Sequence, residues 1–547
     1  MAPRKQPTKR VTRSQSAQAP SPVAAESESL QVQLPTKPSK QLENPLQVVG
    51  ATQYVYELIE AESNVSNWVQ WFVLLFVGNV VFLLFKENED PSKFDPQHLY
   101  DAMFALLCVF CQIAVVFHHQ WKKYKISGNN APQLPEFNLL YATFIPLAVS
   151  LLQAPKYLIL LGGCVTLVSD LQIVVQIGVA VLLEVQLVSS HDSYHPTFPI
   201  MALTPVWHLC VQYLLQYVAP KSFTKSDRNI IATLSVVLLV FIDNTSPVYL
   251  QILQKLMVSF ASATGLCYPI YIVYQKTERN WAVLALLQIV FYILGFHLST
   301  YFLTPVLSTD PFSWLDQFIQ ATETRWTIFR AWLGAVFVVL PAVFAVKSYF
   351  PLDVRRKVWH FALFGALAYP LVLDSELVSL ALVGLFGLLL LVELQRALRL
   401  PPIGAYLDTL FVDFLDDKDR KGEVLSSYIY LVLGAALPIW FDSKSQEAVA
   451  GIITVGLGDS IASLVGKRLG ANRWPGTNKT VEGSVAFVLA TLASLSAFRY
   501  FGQNEFSYSN ILCTSMLAAI VEGCTTMNDN LLVPVFTYLC LYLFKHF

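Results

Sequence analysis

The chain has 547 residues, of which 54% are hydrophobic and 14% charged, against the roughly 25% charged residues of an ordinary soluble domain. A row of soluble domains is excluded, because so little charge cannot cover that much water-facing surface. Lysine and arginine number 37, aspartate and glutamate 38, for a net charge of −1, so no global field draws the chain to nucleic acid.

Residues 1–50 are rich in Pro, Ser, Gln and Ala without apolar periodicity and read as a disordered tail. The tail begins basic (Arg4, Lys5, Lys9, Arg10, Arg13), but Pro3, Pro7, Pro20 and Pro22 interrupt the amphipathic helix that an organelle transit peptide needs. No apolar core follows within about thirty residues, as a cleavable signal would require. Positive charge ahead of the first span predicts a cytosolic tail.

From Trp68 onward, apolar runs long enough to cross about 30 Å of hydrocarbon recur almost to the end. They start near residues 68, 99, 137, 156, 171, 199, 229, 255, 281, 331, 358, 376, 424, 447, 481, 509 and 529, several of them crowded. The prediction is an all-α, polytopic integral membrane protein with about 15 transmembrane helices. Residues 51–350 form a multi-span region whose polar members (Asp170, Glu184, His208, His297) share no motif, and residues 351–547 form a second region. Most of the eight cysteines sit inside apolar runs and read as packing; Cys108 and Cys111 make a CxxC without a second pair.

In the second region, helix pairs return the chain to the side it left, so four loops share one face. Between Arg355 and Lys479 that face collects twelve cations: Arg355, Arg356, Lys357, Arg396, Arg399, Lys418, Arg420, Lys421, Lys467, Arg468, Arg473 and Lys479. The opposite loops carry only Lys444 and Arg499, which orients the rich face to the cytosol.

On that face lies the segment from Gly456 to Gly483. Gly456, Asp459, Ser463, Gly466 and Gly470 step by three and four, forming one small polar stripe on a helix. Close helix packing accounts for the glycines but not for Asp459, since a lone carboxylate in a span costs several kcal/mol. The following loop sets Lys467, Arg468, Arg473 and Lys479 among glycines, a pattern suited to an anion such as phosphate. A Walker A loop is absent, and the pattern alone fits a nucleotide site or a cytosolic anchor on anionic lipid. A polyphosphate is handled as its magnesium complex, for which one or two carboxylates suffice; Asp459 and Asp529 are the metal candidates, with Glu482 nearby. Residues 411–423 add Asp413, Asp416, Asp417 and Asp419, either a salt-bridged solvated loop or part of the site. After Pro401-Pro402, apolar residues from Ile403 to Leu415 follow helical spacing and predict an interfacial helix that gates a lipid. Arg356 and His360 share a helix face at the start of the span near 358.

Four blocks in order carry a resemblance. RKxxH (Arg356 to His360), DxxDRKGE (Asp416 to Glu423), GDSIASLVGKRLG with RWPGTNKTVEGS (Gly458 to Ser484), and VEG with DNLLVP (Val521 to Pro534) closely resemble the dolichol kinase branch of the polyprenol kinase family. The resemblance covers roughly residues 354–547. It implies CTP-dependent phosphorylation of dolichol at the endoplasmic reticulum membrane, yielding dolichyl phosphate for protein glycosylation, with the CTP site facing the cytosol. By that resemblance the CTP-binding residues are Gly458, Ser460, Lys467, Arg468, Gly470, Arg473, Trp474, Pro475, Gly476, Lys479, Thr480 and Gly483. Asp459, Lys479 and Glu482 would be catalytic, Glu482 orienting the hydroxyl. Asp459 and Asp529 would hold Mg²⁺ or another divalent cation. Arg356, Lys357, His360, Asp416, Asp419 and Lys421 would contact substrate or phosphate. The partners implied are CTP and a polyprenol within the membrane, with no nucleic acid; the oligomeric state is left open. A CTP-dependent cytidylyltransferase making CDP-diacylglycerol, whose family shares a glycine-rich block ending in KTxEG, is the alternative enzyme. A transporter is the alternative outside enzymes. Of three glycosylation triplets, Asn64 and Asn244 would be usable only if lumenal, and Asn478 lies in the cytosolic loop.

Overall fold

The computed structural model describes residues 198–547, short gaps apart, and a few helical positions between 68 and 79. The tail, the runs starting between 99 and 171, the CxxC, Asp170, Glu184 and Asn64 lie outside the described residues. Among the described residues the regular elements are all helical, so the chain is an all-α membrane protein.

The first helices are α1 (Phe198–Val218), α2 (Lys225–Val236), α3 (Val248–Lys276), α4 (Trp281–Leu307), α5 (Pro311–Gln320) and α6 (Glu323–Val346). Next come α7 (Leu352–Leu373), α8 (Ser375–Ala397), α9 (Ile403–Phe411), α10 (Asp417–Lys421) and α11 (Ser426–Phe441). A π-helical stretch, Ile452–Gly458, then runs into α12 (Asp459–Leu469), followed by α13 (Val481–Gly502), α14 (Tyr508–Cys524) and α15 (Asp529–Lys545). Helix starts are set by side-chain oxygens on free backbone N–H groups. Asp310 caps Phe312 and Ser313 with Pro311 in the first turn, Asp374 caps Leu377, and Ser507 caps Asn510.

Six described segments are long and apolar enough to cross a membrane: Val248–Lys276, Trp281–Leu307, Glu323–Tyr349, Ser375–Ala397, Gln446–Leu469 and Val481–Gly502. The run expected near 229 begins in the 12-residue α2. Beyond it, Nε2 of buried Gln254 on α3 donates to the carbonyls of Leu238, Leu239 and Ile242 at 3.0, 3.2 and 3.0 Å.

The core sits in the carboxy-terminal half. α11 is buried from Ile429 to Trp440, and α15 from Leu531 to Leu541 but for Val535. They meet without room for a side chain: a Cβ on Gly434 would lie 1.8 Å from the carbonyl oxygen of Asn530. The stretch Gln446–Leu469 is 67% buried along its most apolar window, against 6% for Glu323–Tyr349.

The helix expected after Pro401-Pro402 is α9, with Ile403 and Tyr406 exposed. It ends at Phe411, short of the predicted stretch, and a tight turn at Val412–Phe414 swings Phe414 inward. There its ring lies 5.4 Å from that of Phe344 and 5.6 Å from that of Trp359.

Candidate active site

The ends of α7, α14, α15 and the π-helical stretch converge with the loop after α12 on a cavity of about 310 Å³. Asp459, Glu522 and Asp529 each turn a carboxylate oxygen into it, all three within 4.8 Å of one another. In sequence they are separated by as much as seventy residues; packing of four helices brings them together.

Asp459 owes its position to the π-helical turns before it. In an α-helix its N–H would bond the carbonyl four residues back; here it reaches five back, to Thr454. That leaves the Val455 carbonyl to accept from His360 Nδ1 at 2.8 Å. The carbonyl fixes the proton on Nδ1 and leaves Nε2 as the acceptor. Nδ1 also lies 3.4 Å from Asp459 Oδ2, and the carbonyl bond is the shorter one. Lys357, one turn before His360 on α7, pairs with Asp459.

Lys479 bridges the other two acids. Its Nζ lies 2.7 Å from Glu522 Oε1, 2.7 Å from Asp529 Oδ2 and 2.8 Å from the Glu522 carbonyl oxygen. Burial works against the ammonium, but the carboxylates of Asp529 and Glu522 outweigh it and hold Lys479 above the ordinary lysine range. Its loop is a short hairpin: Trp474 N–H donates to the Lys479 carbonyl at 2.9 Å, and Val481 N–H to that of Asn472 at 2.8 Å. The Trp474 indole pins the hairpin by donating to Ser484 Oγ at 2.9 Å beside Gly523, and Thr477 Oγ1 donates to the Gly523 carbonyl at 3.1 Å.

The cavity has two unlike walls. One is polar and basic, with Lys467, Asn478, Lys479, Thr480, Arg356 and Lys357. The other is formed by Phe414, Asp419, Ser427, Tyr428 and Leu431. Three clustered carboxylates supply the hard oxygen donors that Mg²⁺ prefers, and two lysines balance them in the structure described. Such a cavity can seat an anion beside a cation and admit an apolar molecule bearing one polar end.

Comparison with known proteins points the same way. The family described as "Dolichol kinase N-terminal domain" matches residues 21–243. A dolichol kinase of Saccharomyces cerevisiae is 26% identical over 87% of this chain and 89% of its own length. The chain is similar to the dolichol kinases. A dolichol kinase of Schizosaccharomyces pombe is 36% identical over 34% of this chain and 38% of its own, and one of Homo sapiens is 27% identical over 48% and 53%. No solved structure matches.

Within this chain, the sequence-predicted residues divide. Arg356, Lys357, His360, Asp419, Asp459, Lys467, Lys479, Thr480, Gly483 and Asp529 line the cavity. Gly458 and Ser460 are buried beneath it: a Cβ on Gly458 would meet the Phe487 ring at 2.9 Å, and Ser460 Oγ donates to the Gly456 carbonyl at 2.8 Å. Gly470 serves as a contact, its would-be Cβ lying 2.5 Å from Thr480 Cγ2. Arg468, Arg473, Pro475 and Lys421 are exposed and do not line the cavity, and Trp474 is the pin already described. Glu482 points away: its carboxylate accepts from the Asn472 N–H at 3.1 Å and from Asn472 Nδ2 at 2.9 Å, holding the base of the hairpin. Asp416 and Gly476 lie outside the described residues.

Sequence reasoning left Glu522 without a task, although it is the third acid of the cluster. Its signal was present: an acid near the end of an apolar helix, seven residues before Asp529. Asn478, Ser427 and Tyr428 carried no such mark.

Proposed function

We propose that this protein phosphorylates dolichol with CTP as donor, releasing CDP and dolichyl phosphate, the lipid carrier for protein glycosylation. The observation that carries the proposal is the convergence of three carboxylates and two lysines on one cavity that Phe414, Tyr428 and Leu431 also line. Two relatives that support the reading, similar over 87% and 34% of this chain, are named dolichol kinases.

The acceptor oxygen attacks the γ-phosphorus, the bond from that phosphorus to the β–γ bridging oxygen breaks, and CDP leaves with the bridging oxygen. The hydroxyl proton passes to a cavity carboxylate. Asp419, on the wall where the lipid end arrives, is the candidate acceptor; the role expected for Glu482 does not suit a carboxylate turned onto Asn472. Such transfers need in-line positioning and neutralised charge more than covalent help. Lys479, Lys467 and Lys357 hold phosphate oxygens, and Asn478 and Thr480 add polar groups on the same wall. Asp459, Glu522 and Asp529 would hold Mg²⁺, which when bound neutralises charge on the β- and γ-phosphates. Phe414, Tyr428 and Leu431 receive the first apolar units of the polyprenol and exclude water. The site belongs on the cytosolic face of the endoplasmic reticulum membrane, where the basic loops collect.

Purified protein given γ-labelled CTP, Mg²⁺ and dolichol should place label in the lipid while CDP accumulates. Release of pyrophosphate with a nucleotide-linked lipid would overturn the proposal in favour of cytidylyl transfer. An unlabelled lipid would overturn it outright.

A further inference from the structure

The block Asp416–Glu423 ends in two residues, Gly422 and Glu423, that phosphoryl transfer leaves without a task. They lie on the strap joining α9 to α11, which presents Asp419 to the cavity and leads directly into Ser427 and Tyr428 in the first turn of α11. What holds the strap lies some two hundred residues away in sequence, in the turn 219–224 between α1 and α2.

Lys221 N–H donates to Glu423 Oε2 at 3.1 Å, and the Ser222 hydroxyl donates to the same oxygen at 3.3 Å. Ser222 Oγ in turn accepts from the Val424 N–H at 2.7 Å. Ser222 is 2% exposed, between the core residues Ala219 and Phe223. From the other side, Arg396 Nη2 donates to the Glu423 carbonyl at 2.9 Å, and Leu425 N–H donates to Glu393 Oε1 at 2.8 Å. Fit is tight: a Cβ on Gly422 would stand 2.7 Å from Ser222 Oγ.

We propose that Ser222 and Glu423 are positioning residues, a latch by which the amino-terminal region fixes the acceptor wall of the cavity. The turn 219–224, within the region matched by the amino-terminal family, thereby serves the reaction without itself lining the cavity. Three features favour a latch over a chemical role for Glu423. Both donors converge on one of its oxygens, it is not among the lining residues, and its backbone is held as firmly as its side chain. An amide oxygen can accept the same two bonds, so charge at this position is dispensable while the acceptor is not.

The activity readout rests on the proposed dolichol kinase reaction; the exchange readout does not. In the purified full chain, S222A and E423A should each lower kcat about tenfold, as loss of a hydrogen bond to a charged group does, with KM for CTP within about twofold. E423Q should stay within about threefold of the parent. G422A should be impaired by its clash, and adding it to S222G should cost little beyond S222G alone. Hydrogen exchange should rise in residues 414–428 of E423A while residues 470–480 stay protected. If E423A does not fold, S222A, which removes one oxygen, carries the same test. The proposal is overturned if S222A and E423A match the parent in kcat and exchange. An E423Q as damaged as E423A would overturn it by assigning Glu423's charge to the chemistry. Should the parent transfer no label from CTP to dolichol, the functional proposal falls, and exchange alone still decides the latch.

Discussion

Glu323–Tyr349 and Gln446–Leu469 have similar mean hydropathies of 2.1 and 1.8 in their most apolar windows, yet 6% of the first window is buried and 67% of the second. Hydropathy therefore reports the thickness of hydrocarbon a helix can span and says little about whether lipid or protein surrounds it. What separates the two is side-chain size and polarity. The outer helix α6 turns Phe337 and Val338 outward, 76% and 69% exposed, as a lipid-facing surface permits. The inner elements place Gly434, Ala435 and Ala436 against neighbours, with Gly451 beside them, so that backbones touch. The inner set holds the three-acid cluster, because Lys357 and Lys479 supply its cations there.

The sharpest way to break this contrast is at the acids. D459N and D529N should each lower kcat more than about a hundredfold, the scale of losing one preorganised electrostatic group; phosphoryl transfer at saturating CTP and dolichol measures it. K479A should do as much, and should also cost about 3 kcal/mol in thermal unfolding, since it strands the buried Glu522 carboxylate. A smaller effect is expected at Gly434, where G434A forces α11 from the Asn530 backbone and should cost about 2 kcal/mol. Activity should fall with it, because Asn530 adjoins Asp529. On the far side of the bundle, Arg325 lies 2.6 Å from Asp374 and stacks on the Phe318 ring at 3.9 Å. R325A should lower stability by about 1.5 kcal/mol and leave kcat within about twofold. At the small end, F337L should change stability by less than about 0.5 kcal/mol; a larger loss would mean that α6 packs against protein along this face.

The helices and the convergence of loops were readable from sequence, because apolar run length and the parity of crossings depend on residue type alone. Arg355 to Lys357, Lys467 to Lys479 and Glu522 to Asn530 were expected on one face, and members of all three stretches line one cavity. Asp459 could be singled out because a carboxylate in an apolar helix needs a partner. Direction within a loop could not be read the same way. Glu482 and Lys479 are three residues apart in the same motif, but the hairpin turns one to Asn472 and the other to Glu522 and Asp529. Gly458 and Ser460 looked like bare, ligand-facing positions, whereas the π-helical turns rotate them onto Phe487 and back onto Gly456. The bonds from Gln254 to the carbonyls beyond α2 also escaped notice, because they come from one glutamine on another helix.

The π-helical stretch before Asp459 amounts to a helix carrying a surplus residue. Deleting one residue within Ile452–Gly458 would let the segment rewind to α geometry and leave what lies beyond it facing nearly as before, because the π turns absorb the extra residue. The Val455 carbonyl would be reclaimed by its own helix, and His360 would lose the partner that sets its tautomer. Every side chain of the acidic cluster would survive such a deletion, and the carbonyl that orients the histidine beside it would not. For this helix, the pattern of backbone bonding is as much a determinant of the active site as residue identity.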